Sequence, residues 1–229
     1  MKMKNGVASV NHVSDPNVRL DRLRLMPRGG LMSGTDQINS LFQTLWIDKK
    51  FAYDGTQLRT LFAYLEHRVL GNSCVAWAGP CDISFDHMVD GEDLLEQSPI
   101  RGSLMLHFII ESFDGDLFSA VCLQRLFASI VRDVIFAQAQ VKLLGTDIQR
   151  SGDDLYWQNK KLSISIASRA RVSNLIHFAI NISNEGTPVP TASLEDFSLE
   201  PKKFALECMR ILANEYSSSL LATRKVKPL

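Results

Sequence analysis

Lys161 heads a stretch, 161–167, whose residue types suit ligand binding. Strand spacing puts Lys161, Ser163, Ser165 and Ala167 on one face and Leu162, Ile164 and Ile166 on the other. The stretch 175–182 repeats the division. Leu175, His177, Ala179 and Asn181 alternate with Ile176, Phe178, Ile180 and Ile182. Short side chains leave volume, hydroxyls and an amide orient a ligand, and one ammonium supplies charge at the mouth. The other reading is a solvated face of an antiparallel sheet. Such faces more often carry Lys, Glu and Thr than Ser, Ala and Asn.

Four further groups could do chemistry. Cys81 follows Gly79-Pro80 at a strand end, with His87 and His107 as candidate bases. A nucleophile there needs a thiol of lowered pKa beside a base, and a partly buried loop cysteine is the plainer reading. Asp82, Asp86, His87, Asp90, Glu92 and Asp93 crowd one segment, which reads as a carboxylate–histidine metal site or as a solvated acidic loop. Asp82 and His87 are its candidate ligands. His107 and Glu111 are four apart on a presumed strand and share a face, either as acid–base partners or as a structural pair. Arg59 and Arg125 are candidate anion contacts, or ordinary ion-pair arginines.

These residues need elements to hold them. Leu45–Ile47 and Phe51–Tyr53 read as a strand and its return across Asp48-Lys49-Lys50. Asp54 reads as an N-cap for a helix over Leu58, Leu61, Phe62, Leu65 and Val69, closed by Gly71. Residues 74–78 form a buried strand stopped by Gly79-Pro80, 91–96 a helical turn, and 104–111 a strand. A helix over 117–137 is apolar around most of its circumference, apart from a stripe of Arg125, Ser129, Arg132 and Asp133. Strands follow at 141–144, 155–157 and 161–167, the last two joined by a hairpin at Gln158-Asn159. A final helix starts near Ser198 and runs through Phe204, Cys208, Ile211 and Leu212. The pattern predicts an α+β domain over 41–229, with a mixed, largely antiparallel sheet packed by helices. Residues 1–40, broken by Pro16, Pro27, Gly29, Gly30 and Gly34, read as a poorly ordered extension.

The composition narrows the function classes. Twenty-five basic residues match 25 acidic ones, so no net field draws in nucleic acid or anionic lipid, and neither is expected as a partner. No apolar run reaches membrane-spanning length. The four cysteines form no CxxC pair and imply a reducing, cytoplasmic setting, with Cys122 and Cys208 as small hydrophobes in helices.

The run Arg150-Ser-Gly-Asp153-Asp154-Leu-Tyr-Trp-Gln-Asn-Lys160-Lys161-Leu-Ser163-Ile-Ser165-Ile-Ala167 resembles a central segment of biotin and lipoate protein ligases. Their segment carries an Asn-Asp pair, a hydrophobic strand, a turn, and then Lys followed by small residues. His177-Phe-Ala-Ile-Asn181-Ile is similar to their next strand. The resemblance implies their fold and a small acyl or nucleotide-like ligand. It also implies ATP and Mg²⁺, and adenylyl or acyl transfer. Lys161 would lie between ligand carboxylate and α-phosphate, where a point charge stabilises developing charge. Asp153 and Asp154 would hold ribose, metal or the attacking group, and Arg101 would stand in the acid- and phosphate-binding segment. Cys81 would match the acyl-carrying cysteine of octanoyl transferases. Two positions depart from the pattern: Ile164 replaces a glycine, and Arg101-Gly102-Ser103 has one glycine where the ligases have a rich loop. A non-catalytic ligand-binding module on the same fold is the alternative, and a homodimer is compatible with either. Over its whole length the chain also resembles the family called domain of unknown function 366. That likeness rests on Tyr53-Asp-Gly-Thr-Gln-Leu-Arg59, Gly79-Pro-Cys-Asp82, Leu106-His-Phe-Ile-Ile-Glu111 and Gly152-Asp-Asp-Leu-Tyr156.

Overall fold

The computed structural model describes residues 41–97, 100–139, 148–185 and 190–227. The extension at 1–40 and the strand expected at 141–144 lie outside them.

Alternating apolar residues build the main sheet. Its strands are β1 (Gln43–Trp46), β2 (Ser73–Ile83), β3 (Ile100–Ser112), β7 (Ser163–Arg169) and β8 (Asn174–Asn181), in the order β1-β2-β3-β8-β7. Only β1–β2 is parallel, so the sheet is mixed and largely antiparallel. A smaller sheet joins β4 (Gln149–Ser151), β5 (Asp154–Trp157) and β6 (Lys160–Lys161). The helices are α1 (Phe62–His67), α2 (Gly91–Glu96), α3 (Leu117–Gln138) and α4 (Pro201–Thr223).

Period-two alternation makes two cores. On one side of the sheet Ala76, Leu106, Phe108, Ile176 and Phe178 pack against Phe127, Val131 and Ile135 of α3 and Phe204, Cys208 and Leu212 of α4. The rings of Phe108, Phe127 and Phe178 meet edge-to-face, with centroids 5.0–6.4 Å apart. On the other side Val75, Trp77, Met105, Ile109 and Ala179 meet Tyr53, Phe62 and Ala63. That second face carries the candidate site.

Several expectations need correction. The strand at 74–78 does not stop at Gly79-Pro80. It passes through a bulge between Gly79 and Cys81 and continues to Ile83. Proline lacks an N–H, which a bulge leaves unneeded. Residues 51–53 are not a return strand. Tyr53 makes a single parallel bridge to Cys81. Cys122 is exposed on α3, whereas Cys74, Cys81 and Cys208 are buried.

The helix expected from 58 to 69 shrinks to the six residues of α1. Leu61 and Arg68 at its two ends are both left-handed, at φ 63°. Asp54 caps a turn instead, its Oδ1 accepting from Thr56 N (3.0 Å) and Thr56 Oγ1 (2.6 Å). A buried carboxylate holds this arrangement. Glu111, 2% exposed, accepts from Leu61 N with both oxygens (2.9 and 3.1 Å) and from Ser173 Oγ (2.7 Å). A Glu111→Gln variant turns an NH₂ group toward one of these donors. Hydrogen bonds to charged groups are worth roughly 1.5–3 kcal/mol, so the variant should lose about 1.5 kcal/mol in urea unfolding at unchanged m. An unchanged midpoint would dismiss Glu111 as the tie.

Candidate functional site

A cleft of about 410 Å³ lies on the second face of the sheet. Its floor is Met105, Ile164, Ile166 and His177, one wall is Ile83 to Asp93, and Asp153, Asp154 and Lys161 stand at the other end. The acid-rich segment after β2 therefore forms a wall. Asp90 starts α2 there by accepting from Glu92 N (2.8 Å) and Asp93 N (3.4 Å).

The register decides which side chains reach the floor. Ser163, Ser165 and Ala167 stand opposite Ile180, Phe178 and Ile176, while Ile164 and Ile166 stand opposite Ala179 and His177. Directly opposed residues share a face. The two small-and-polar faces expected to line one cavity thus lie on opposite sides of the sheet. On β7 it is the isoleucines that meet the cleft floor. Ser165 Oγ instead accepts from Gln124 Nε2 of α3 (2.8 Å), and Ser163 Oγ accepts from Leu155 N (3.0 Å). Both serines still border the cleft, and β7 is an edge strand of the sheet.

Lys161 does not belong to β7. Leu162 interrupts the run, donating its N–H to Leu155 O (2.8 Å) and accepting from Asn181 N (3.1 Å). Lys161 ends the hairpin β5–β6, which turns at Gln158 (φ 51°) and Asn159 (φ 64°) as the sequence implied. From there Lys161 Nζ meets Asp154 Oδ2 at 2.9 Å. Burial opposes the Lys161 ammonium, but the hydrogen bond and charge of Asp154 hold its pKa above the ordinary value. Asp153 accepts from Gln124 Nε2 (2.7 Å), and burial pushes its carboxyl up. Burial and neighbouring Asp90 push Asp93 the same way. Asn181 Nδ2 donates to Ala192 O (3.0 Å) and Lys161 O (3.5 Å), fixing the strand that carries Lys161. Arg101 lies on the rim, its Nε 2.9 Å from Asp82 Oδ1.

Other candidates are not assembled. Cys81 is buried, and burial pushes its thiol up to about 12, the reverse of an activated nucleophile. His87 Nδ1 faces Ser84 Oγ at 3.4 Å. His107 is fully buried beneath the cleft, bonded to His177 and Gly79 O. It does not pair with Glu111, because residues four apart on a strand are roughly 13 Å apart. Arg59 binds Glu66 (2.7 Å) and stacks over Phe62 (5.6 Å). Among the described residues no three His, Cys, Asp or Glu side chains converge as a metal site.

Two residues gain importance from the fold. Gln124, the buried amide of α3, ties Asp153 to Ser165, and a polar residue outside the exposed stripe of that helix was the available signal. His177, on the small-and-polar face but given no role, is a floor residue with the Tyr53 ring stacked on it at 3.6 Å.

The family model for domain of unknown function 366 matches residues 42–227. An uncharacterised protein of Methanocaldococcus jannaschii is 30% identical over 182 residues, covering 77% of this chain and 78% of its own. A protein of unknown function from Pyrococcus horikoshi superposes at a TM-score of 0.76 with 32% identity, over 82% of this chain and 99% of that one. A biotin protein ligase from Aquifex aeolicus, solved in complex with biotin and ATP, superposes at 0.51 with 13% identity, over 77% of this chain and 70% of that one. The last likeness establishes a shared fold. Among the described residues no helix is long and apolar enough to cross a membrane. By the match across its sheet, cleft and helices, the chain belongs to the family of domain of unknown function 366, built on a biotin-protein-ligase-like fold.

Proposed function

We propose that the cleft binds a small acyl or nucleotide-like ligand, with Lys161 meeting its acidic group and Asp153 and Asp154 flanking it. The observation that carries this reading is the Lys161–Asp154 pair at the end of a cleft whose floor is apolar apart from His177. On this fold a biotin protein ligase holds biotin and ATP. An arriving carboxylate or phosphate would exchange Lys161 away from Asp154, replacing one charge-assisted bond by another.

Catalysis by adenylyl or acyl transfer is the stronger form of this reading, and binding without adenylation is the weaker. The second is favoured by the fit of the residues to ATP. The space beside Gly102 that a phosphate cradle would keep open is filled by Met105, whose Sδ lies 2.6 Å from where a Cβ would be. Ile164 projects where the ligases have glycine. Asp90, Glu92, Asp93, Asp153 and Asp154 line the cleft against the cations Arg101 and Lys161. A triphosphate fits this surface poorly, even with Mg²⁺ held between Asp153, Asp154 and phosphate oxygens.

A thermal-shift screen with octanoate, lipoate, biotin and ATP tests the reading. Ligand at about 100 times its Kd adds about 2.7 kcal/mol of stability. Lys161→Ala should weaken the acid that binds by about tenfold or more, the value of one charged hydrogen bond. Pyrophosphate release from ATP in the presence of that acid separates ligase from binding module. No shift with any of the four, or equal affinity in Lys161→Ala, would sink the assignment.

A further inference from the structure

Beneath the cleft lies a relay of two imidazoles that the proposed acid-binding role leaves unused. His107 is fully buried, and His177 is 2% exposed. His107 Nε2 lies 3.2 Å from Gly79 O, and His107 Nδ1 lies 3.2 Å from His177 Nε2. Aromatic rings clamp both. Trp77 stacks on His107 at 5.2 Å and Tyr53 on His177 at 3.6 Å, with interplanar angles of 28° and 12°.

The chemistry of these partners fixes every proton. A carbonyl oxygen only accepts, so the proton of neutral His107 is on Nε2. Its Nδ1 is then a lone pair, and the group facing it, His177 Nε2, must donate. Neutral His177 has one proton, so its Nδ1 is a bare acceptor. Burial keeps both imidazoles below their ordinary pKa, which keeps them neutral at pH 7. Among the described residues Nδ1 of His177 has no hydrogen-bond partner. It is not sealed in either: the fully sealed, unpartnered side-chain atoms there are Ser73 Oγ and Trp157 Nε1. His177 is a cleft-floor residue, so this acceptor is presented to the cleft.

We propose that His177 Nδ1 is the specificity-determining contact at the floor of the cleft. It takes an N–H or O–H donor of the ligand, and His107 is the positioning residue that locks its tautomer. The inference rests on the cleft being a ligand site and adds what Lys161 does not supply. The preferred ligand has an acidic group toward Lys161 and a donor, such as an amide, ureido or hydroxyl group, toward His177. An unpaired buried acceptor costs about 1–3 kcal/mol, so the floor discriminates against ligands that are apolar there.

Long-range ¹H–¹⁵N spectra of the imidazoles in the full chain test the lock without any ligand. The expected result is protonated Nε2 and bare Nδ1 in both residues, with His177 becoming a tautomer mixture in His107→Phe. A protonated His177 Nδ1 in the unaltered chain overturns the proposal. Octanamide and N,N-dimethyloctanamide then probe the contact, since they differ in their N–H donors. Octanamide should bind about tenfold more tightly and move the His177 Nδ1 resonance. His177→Phe, which keeps a ring against Tyr53 and has no acceptor, should bind the two equally. Equal binding by the unaltered chain, or no binding of either amide, overturns the role of His177. Octanoate binding that depends on Lys161 would in that case leave the cleft reading standing.

Discussion

Gly79→Ala should lose about 3 kcal/mol or more of stability, a lowering of Tm by roughly 6–12 °C for a chain of this size. A Cβ at position 79 would lie 1.9 Å from Phe51 O and 2.8 Å from Phe51 C, and both are backbone atoms. Neither can swing aside as the end of a flexible side chain would. Phe51 O also accepts from Trp77 Nε1 (3.1 Å), and its ring stacks on Trp77 at 4.5 Å. Tyr53 N donates to Pro80 O (2.8 Å), so the whole 51–53 segment is pinned across the bulge. Relief requires moving that segment off β2 and disturbing Gly79 O, the acceptor for His107. Urea unfolding measures the loss, and the imidazole spectra should show the His107 tautomer released. A cost under about 1 kcal/mol would mean that the crossing of Phe51 over Gly79 is looser than this geometry requires.

What the sequence made legible was local. Gln158-Asn159 announced a two-residue turn, and both residues adopt the positive φ that turn requires. Apolar spacing marked α3 within a residue or so of its ends, and the acid-rich segment contained α2 behind Asp90. The floor of the cleft was not legible, because it depends on how two strands register. Alternation within 161–167 and within 175–182 was correct for each strand alone, apart from the break at Leu162. A shift of one residue between neighbours exchanges the faces, and nothing in either strand reports it. The length of α1 was hidden for a related reason. Leu58, Leu61, Phe62, Leu65 and Val69 have helical spacing, yet Glu111, fifty residues beyond Leu61, takes the Leu61 N–H and holds that residue left-handed. Bulge and buried relay were equally non-local: Gly79-Pro80 reads as a strand end until Phe51 is seen to cross there. His107 and Glu111 looked like partners along one strand, whereas their actual partners come from other segments.

The imidazole relay also predicts how the whole chain responds to acid. Burial lowers the pKa of His107 from its ordinary 6.5 to about 4, and it lowers His177 well below 6.5. The unfolded chain therefore binds protons that the folded chain refuses, and stability rises with pH wherever the unfolded state holds more protons. The His107 contribution is complete above pH 6.5, falls as pH drops through the interval to about 4, and is flat below. At about 1.4 kcal/mol for each pH unit in that interval, His107 alone accounts for about 3 kcal/mol. Carboxylates act in other windows or with the opposite sign. Asp54, held down by Thr56 and Gln57 against its burial, loses its contribution only below its ordinary 3.8. Asp93 and Asp153, pushed up by burial, contribute stability at low pH that fades as pH rises through their folded values. No carboxylate is among the groups that act on His107, whose surroundings are Trp77, Tyr53, His177, Gly79 O and the Pro80 backbone. The difference between the unaltered chain and His107→Phe therefore reads the His107 imidazole together with any release of His177, whose pKa the neighbouring His107 helps to lower, and both act in the same direction. Urea unfolding at half-unit steps from pH 7 to 4 should show the variant's stability curve flatter by about 3 kcal/mol, whatever its stability at pH 7. Parallel curves would mean that the fold protonates His107 as readily as the unfolded chain does, and below pH 6.5 such a His107 could not accept from His177 or keep a bare nitrogen at the cleft floor.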